Sequence, residues 1–226
     1  MGRSGLTLEE LVEQCDTALV DHVCLRISQA GEFPVVLEGK FEVDGPKGRV
    51  DAYSVRIEFS KDFPLSPPLV FETDGRLPHH IDWHVIGNGY ACLEVWPVWR
   101  AQNTDPTVRS VLNGPVRNFF LSQSFFEANG HWPFGEYSHG DPGRREALKT
   151  LFRAASAQDK DLLWRVNALV NPPRRQNSCP CGSSRLYCKC HQPELQEIAS
   201  NLDQSTLWLV TDMYLKILER AKNVAQ

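Results

Sequence analysis

Arg56-Ile57-Glu58-Phe59-Ser60-Lys61-Asp62-Phe63-Pro64-Leu65-Ser66-Pro67-Pro68-Leu69-Val70-Phe71-Glu72-Thr73 is the stretch on which the fold turns. Its first residues close an alternating run, in which Tyr53, Val55, Ile57 and Phe59 interleave with smaller or polar residues, the pattern of a strand with one buried face. The prolines at 64, 67 and 68 cannot donate to a ladder and force a bend. Leu69 to Glu72 then reads as a further strand.

Upstream, two more extended runs are expected, about His22 to Ser28 and Phe33 to Val43, followed by Arg49 to Phe59. Gly31 and the turn-rich Asp44-Gly45-Pro46-Lys47-Gly48 separate them. The reading is a four-stranded antiparallel meander. Ahead of it, Leu6 to Leu19 places Leu8, Leu11, Val12, Cys15, Ala18 and Leu19 at helical spacing, with Glu9, Glu10, Glu13 and Asp16 elsewhere around the helix. Downstream, Arg76 to Asp105 loses periodicity and accumulates His, Gly, Trp and Pro, as a long functional loop does. Asp105-Pro106 looks like a helix start, and Pro115 should kink or divide the helix that follows. Helices are further expected at about Arg144 to Ala155, Asp159 to Val170 and Asp203 to Lys222, with a polar linker at 171–177. The fold class expected is α+β, divided into 1–170 and 171–226.

Composition bounds the functional classes. The 226 residues are 42% hydrophobic and 23% charged, with a formal net charge of -4, so no overall field draws the chain onto nucleic acid or an anionic membrane. The opening residues lack a leader pattern, and no stretch approaches the roughly eighteen apolar residues of a membrane span, which implies a cytoplasmic protein. Of the seven cysteines, four crowd into 179–190, a pattern suited to metal ligation in a reducing compartment.

The helix, meander, proline-rich bend and following Asn88-Gly89-Tyr90-Ala91-Cys92-Leu93 together resemble the ubiquitin-conjugating enzymes, over about Leu6 to Gly140. That family carries a Tyr/Phe-Pro-x-x-Pro-Pro bend and, about twenty residues later, a Gly-x-x-Cys-Leu segment, matched here at Gly89, Cys92 and Leu93. The resemblance implies a thioester on Cys92. A thiolate attacks an activated carboxyl readily, and the thioester stays reactive enough to pass the acyl group to an amine. A lone cysteine is also simply a small apolar residue, and the motif context sets Cys92 apart from that reading. The family's His-Pro-Asn is absent. His84 stands eight positions before Cys92, where the family has the oxyanion-supporting Asn, and its N–H could take that role or serve only to shape the loop. His79 and His80 are weaker candidates. His139, in Gly135 to Gly140, is a candidate base for the incoming amine or a plain loop residue. Trp96 and Trp99 fall where the family has a tryptophan-containing flap.

Cys179-Pro180-Cys181-Gly182-Ser183 followed by Cys190-His191 closely resembles the SEC-C motif, which implies a structural zinc ion on Cys179, Cys181, Cys190 and His191, with Cys188 extra. A segment this short needs the metal to fold. Arg174, Arg175, Arg185 and Lys189 make it locally basic.

The resemblance therefore implies a bacterial conjugating enzyme like those of anti-phage (CBASS) operons. Its protein partner would supply a C-terminal carboxyl, on that pattern a cyclic-nucleotide synthase resembling cGAS. No membrane partner is expected, and nucleic acid is disfavoured. A different class remains open, a non-catalytic module that holds a protein tail while the zinc knuckle docks, and a third is an RNA- or ribosome-associated zinc protein.

Overall fold

A computed structural model describes residues 6–45, 48–103, 105–133, 137–154, 156 and 158–224. Residues 1–5, and with them the start of the expected leader-free terminus, lie outside the described residues, as do Pro46 and Lys47 of the expected turn, Gly135 and Glu136 of the expected polar loop, and Ala155.

In chain order the elements are α1 (Leu8–Leu19), β1 (Leu25–Gln29), β2 (Val35–Gly45), β3 (Gly48–Phe59), β4 (Leu69–Glu72), β5 (Val85–Ile86), β6 (Tyr90–Ala91) and α2 (Trp96–Gln102). There follow α3 (Val108–Val111), a wide π turn at Leu112–Val116, α4 (Arg117–Asn129), α5 (Asp141–Leu151), α6 (Asp159–Val170), α7 (Gln192–Ser200) and α8 (Gln204–Val224). The α+β class is as expected. The chain forms two compact units: the described residues of Arg3–Glu94 with Asp105–Glu136, and those of Val95–Thr104 with Tyr137–Gln226.

In the first unit the expected meander is present and is extended by two short strands, giving a six-stranded antiparallel sheet in the order β1-β2-β3-β4-β6-β5. The alternation in β3 does what its sequence requires: Tyr53, Val55, Ile57 and Phe59 are all buried. They pair across with Phe41, Gly39, Leu37 and Val35 of β2, so one face of the sheet is continuous and apolar. Phe120 of α4 fills that face, 4.7 Å from the Tyr53 ring and 5.6 Å from that of Phe41. Gly39 is required by close approach. With φ at 142° it is in a region closed to L side chains, and a Cβ there would sit 2.2 Å from the Cys24 carbonyl oxygen.

α1 begins two residues later than the periodicity suggests, because Thr7 makes a capping box with Glu10. Its Leu11, Cys15 and Ala18 are buried. The helix expected from Asp105 starts instead at Val108, since Thr107 accepts from the Ser110 amide and so caps it. Pro115 does not break the α3–α4 run: it sits in the π turn, where its missing N–H is accommodated by the wider coil.

The second unit is helical. Val98, Leu148, Leu151, Phe152, Leu162, Val166, Val210, Tyr214 and Ile217 share one core with Cys179 and Tyr187. The structure therefore does not divide at 170/171. The knuckle contributes buried side chains to the helices around it, so Tyr137 onward packs as one body with α2. α2 itself replaces part of the expected irregular stretch, and Trp96 and Trp99, expected in a flap, are buried core residues stacked at 4.6 Å. α7 was not anticipated from the pattern; Pro193 lies in its first turn, where a missing amide proton costs nothing.

Candidate functional site

Two constellations carry chemistry, one in each unit. The first is built on the hairpin β5–β6. Val85 pairs with Ala91 and Ile86 with Tyr90, and continuing that register by one step sets His84 directly across from Cys92. The Cys92 amide donates to the His84 carbonyl at 2.6 Å, which fixes the pairing at the residue of interest. Cys92 is exposed.

The other thiols of this unit are unlike it. Cys15 is on the buried face of α1, and burial pushes its thiol up to about 12, where it is inert. Cys24 is exposed but donates to Glu42 at 3.3 Å, and that neighbouring carboxylate pushes its thiol upward as well.

What aims the hairpin can be traced residue by residue. His84 has φ 52° and ψ 28°, the left-handed conformation, and ends the 3-10 turn Ile81–Trp83. The turn is held at its start by His80, whose Nδ1 accepts from the Asp82 amide at 3.2 Å, so His80 is committed to loop structure. His79 lies against Gly89, where φ is 93° and a Cβ would come 2.5 Å from the imidazole. The glycine of the Gly-x-x-Cys-Leu segment is thus a packing and backbone requirement.

Sequence reading missed an aromatic cluster behind His84. The His84 ring meets Trp132 edge to face at 4.8 Å, Trp132 stacks on Phe126 of α4 at 4.3 Å, and Trp83 meets Phe126 at 5.0 Å. Gln123 is fully buried and donates to the Trp83 carbonyl at 2.8 Å. Only the aromatic richness of 125–134 could have hinted at this, because the partners are some forty residues apart in sequence.

The loop after β4 is secured separately. Arg76 makes two hydrogen bonds to Asp51, at 3.0 and 2.6 Å, and two to Glu127, at 3.2 and 2.5 Å, with its guanidinium 4.3 Å above the Tyr53 ring. Ser124 donates to Asp51 at 2.9 Å and pairs with the Tyr53 hydroxyl at 2.8 Å. The Arg76 guanidinium, helped by the Ala52 amide and Ser124, holds the Asp51 carboxyl down to about 2 against the opposing effect of burial. Glu72 accepts from the amides of Asp74, Arg76 and Leu77, closing the same loop.

His139 belongs to the helical unit. It is exposed, two residues before α5, in a segment anchored by the Ser138 amide and hydroxyl to Glu146, both at 2.9 Å. Cys92 and His84 are brought together by the hairpin; His139 is placed in the other unit.

The second constellation is the knuckle. Cys179, Cys181, Cys190 and His191 bring their ligand atoms within 4.8 Å of one another and could hold a metal ion. The Cys181 and Cys190 sulfurs are 3.7 Å apart, close to the edge of about 3.8 Å implied by a tetrahedron with metal–sulfur bonds of about 2.3 Å. His191 Nδ1 lies 3.3 Å from Cys179 and 3.2 Å from Cys190. The donor set therefore fits an ion that prefers four soft-to-borderline ligands. Locally, the Ser178–Leu186 bridge and the Cys179 amide to Arg185 carbonyl bond of 2.8 Å fold the loop back on itself, and Gly182 at φ 81° makes the turn. Burial pushes the Cys179 thiol up to about 11; Cys181 is desolvated too, yet bonds from the Ser183 hydroxyl and amide bring it down to about 7. Cys188 stays outside the cluster, as expected.

Among the described residues no helix is long and apolar enough to cross a membrane. No family model, curated protein or solved structure matches the chain, so the two constellations stand on their geometry.

Proposed function

We propose that the protein is an acyl carrier of the ubiquitin-conjugating type, in which Cys92 holds the C-terminal carboxyl of another protein as a thioester. The observation that carries this reading is the exposed Cys92 thiol set across a pinned hairpin from His84, on a sheet of the order described.

In the loading step the Cys92 thiolate attacks the carbonyl carbon of an activated acyl donor, an acyl adenylate or a thioester on an activating protein. A sulfur–carbon bond forms, and the bond to adenylate or to the donor sulfur breaks. In the transfer step an amine, in a protein a lysine, attacks the same carbon. A carbon–nitrogen bond forms, the thiolate leaves, and the proton lost by the amine passes to a base. His84 is assigned to support the oxyanion in both steps; the cross-strand register favours it over His79 and His80, whose rings are engaged with Gly89 and Asp82. The donor protein is proposed to be a cyclic-nucleotide synthase of the anti-phage type, and the compartment the cytoplasm.

In the knuckle the proposed ion is zinc, held by Cys179, Cys181, Cys190 and His191. Held by four protein ligands, such an ion would have no open position and would supply a cross-link within the helical unit in place of catalysis.

The test is intact mass spectrometry of the protein expressed with its neighbouring genes. Wild type should carry a hydroxylamine-sensitive adduct, Cys92→Ser a stable oxyester, and Cys92→Ala none. An adduct that persists on Cys92→Ala, or an adduct-free wild type, would leave only a scaffold that binds a protein tail.

A further inference from the structure

We propose that Arg165 is the counter-charge and orienting residue of the metal centre, and that it couples metal occupancy to the packing of the helical unit. The inference rests on the four-ligand reading of the knuckle and is independent of Cys92.

Arg165 lies on α6 and is 4% exposed. Long cationic side chains are seldom so deeply buried without a specific demand. Its Nη1 donates to the Phe152 carbonyl at 3.0 Å and to Glu194 at 3.3 Å, and its Nε donates to Asp161 at 3.3 Å. Its Nη2 approaches His191 Nε2 to 3.3 Å. Its guanidinium also covers the Trp164 ring at 4.7 Å, and Trp164 meets the His191 ring edge to face at 5.0 Å. One residue thus touches the end of α5, the start of α7 and the imidazole ligand itself.

The charges explain why a cation belongs there. A divalent ion with three thiolates and a neutral imidazole carries a net charge of about minus one. Asp161 and Glu194 add two carboxylates around Arg165. Without Arg165 these groups would face an anionic centre in partly buried surroundings, where like charges are less screened than in water. A His191 ring that gives its Nδ1 lone pair to the metal carries its proton on Nε2, so Nη2 and Nε2 are then two N–H groups facing each other without a hydrogen bond; Arg165 is held there by the negative charge of the centre and of Asp161 and Glu194, and its guanidinium limits the ring by contact. The ring is gripped between Trp164 and the guanidinium edge, which sets the direction of Nδ1 toward Cys179 and Cys190. The Phe152 bond carries that constraint into the helical core, since Phe152 is itself fully buried.

The experiment uses the full chain with zinc, with affinity measured by competition against a chromophoric chelator. Arg165→Met is expected to bind zinc about 10- to 100-fold more weakly than wild type. Its cobalt-substituted absorption bands should shift, and the fall in thermal midpoint caused by EDTA should shrink. Arg165→Lys keeps the charge but cannot reach Phe152, Glu194 and His191 together, and is expected to fall between the two. Should Arg165→Met fail to fold by circular dichroism, Arg165→Lys decides: wild-type affinity together with an unchanged cobalt spectrum would overturn the proposal. So would a folded Arg165→Met that binds zinc as tightly as wild type. A wild-type chain that takes up no zinc would overturn the metal reading itself, a result distinct from both.

Discussion

Asp51→Asn removes one charge from the network that holds the β4 loop to α4, and its effect can be worked from the structure. The Asp51 carboxyl is lowered from 3.8 to about 2, chiefly by Arg76. At about 1.4 kcal/mol per pH unit, that depression corresponds to roughly 2.5 kcal/mol of folding free energy. The Asp51 side chain is 23% exposed and that of Arg76 37%, so solvent screening reduces the expected loss to about 1.5–2 kcal/mol. Asparagine keeps the shape: its single oxygen can still accept from the Ala52 amide while its NH2 faces Ser124, whose hydroxyl can accept, so the loss is chiefly that of the charge. A carboxyl whose value is depressed on folding contributes above its unfolded value and ceases to contribute as pH falls through its folded one. The gap between wild type and Asp51→Asn should therefore be full at pH 7 and shrink between about pH 4 and pH 2. Urea titrations followed by tryptophan fluorescence at several pH values measure it. A gap below about 0.5 kcal/mol at pH 7, or one that persists unchanged at pH 2, would refute the assignment of the stabilisation to this ion pair.

Gly39→Ala should cost about 3 kcal/mol or more, because a forbidden φ and a 2.2 Å approach to the Cys24 carbonyl must both be relieved by moving β1 from β2; urea unfolding would reveal a loss under about 1 kcal/mol if the reasoning is wrong. Trp132→Ala should slow adduct formation on Cys92 about tenfold by freeing the His84 ring, whereas Trp132→Phe retains a stacking surface and should stay within about threefold. Rapid-quench measurements of the loading rate separate the two variants, and equal slowing by both would show that Trp132 acts only through general stability.

The meander was legible because its signal is local. Tyr53 to Phe59 alternate at period two, and the turn residues between strands mark the ends, so four strand positions follow from neighbouring residues alone. β5 and β6 were not legible, since two-residue strands have no periodicity to detect; only their pairing makes them strands. The four residues that could hold a metal, Cys179, Cys181, Cys190 and His191, were legible through the resemblance to the SEC-C motif, since all are within one short segment. The arginine beside that set was not: Arg165 is separated from His191 by the rest of α6, the linker and the knuckle loop, and an arginine in a helix sequence gives no sign that it is buried. The membership of the helical unit is hidden in the sequence for a related reason. A polar linker at 171–177 reads as a separation, yet a chain can cross a polar stretch and return its next apolar side chains, here Cys179 and Tyr187, to the same core.

The brevity of β5 and β6 has a bearing on how this segment can vary. Side chains along a strand alternate by parity, so Cys92 owes its place across from His84 to the loop 87–89, whose length sets Val85 opposite Ala91. One residue added or deleted at 87–89 shifts the pairing of β5 with β6 by one position and takes Cys92 away from His84, whereas many replacements at Asn88 would leave it where it is. Length, more than composition, is therefore what selection and mutagenesis should find intolerant here: saturation libraries at 88 should retain adduct formation while single-codon indels lose it.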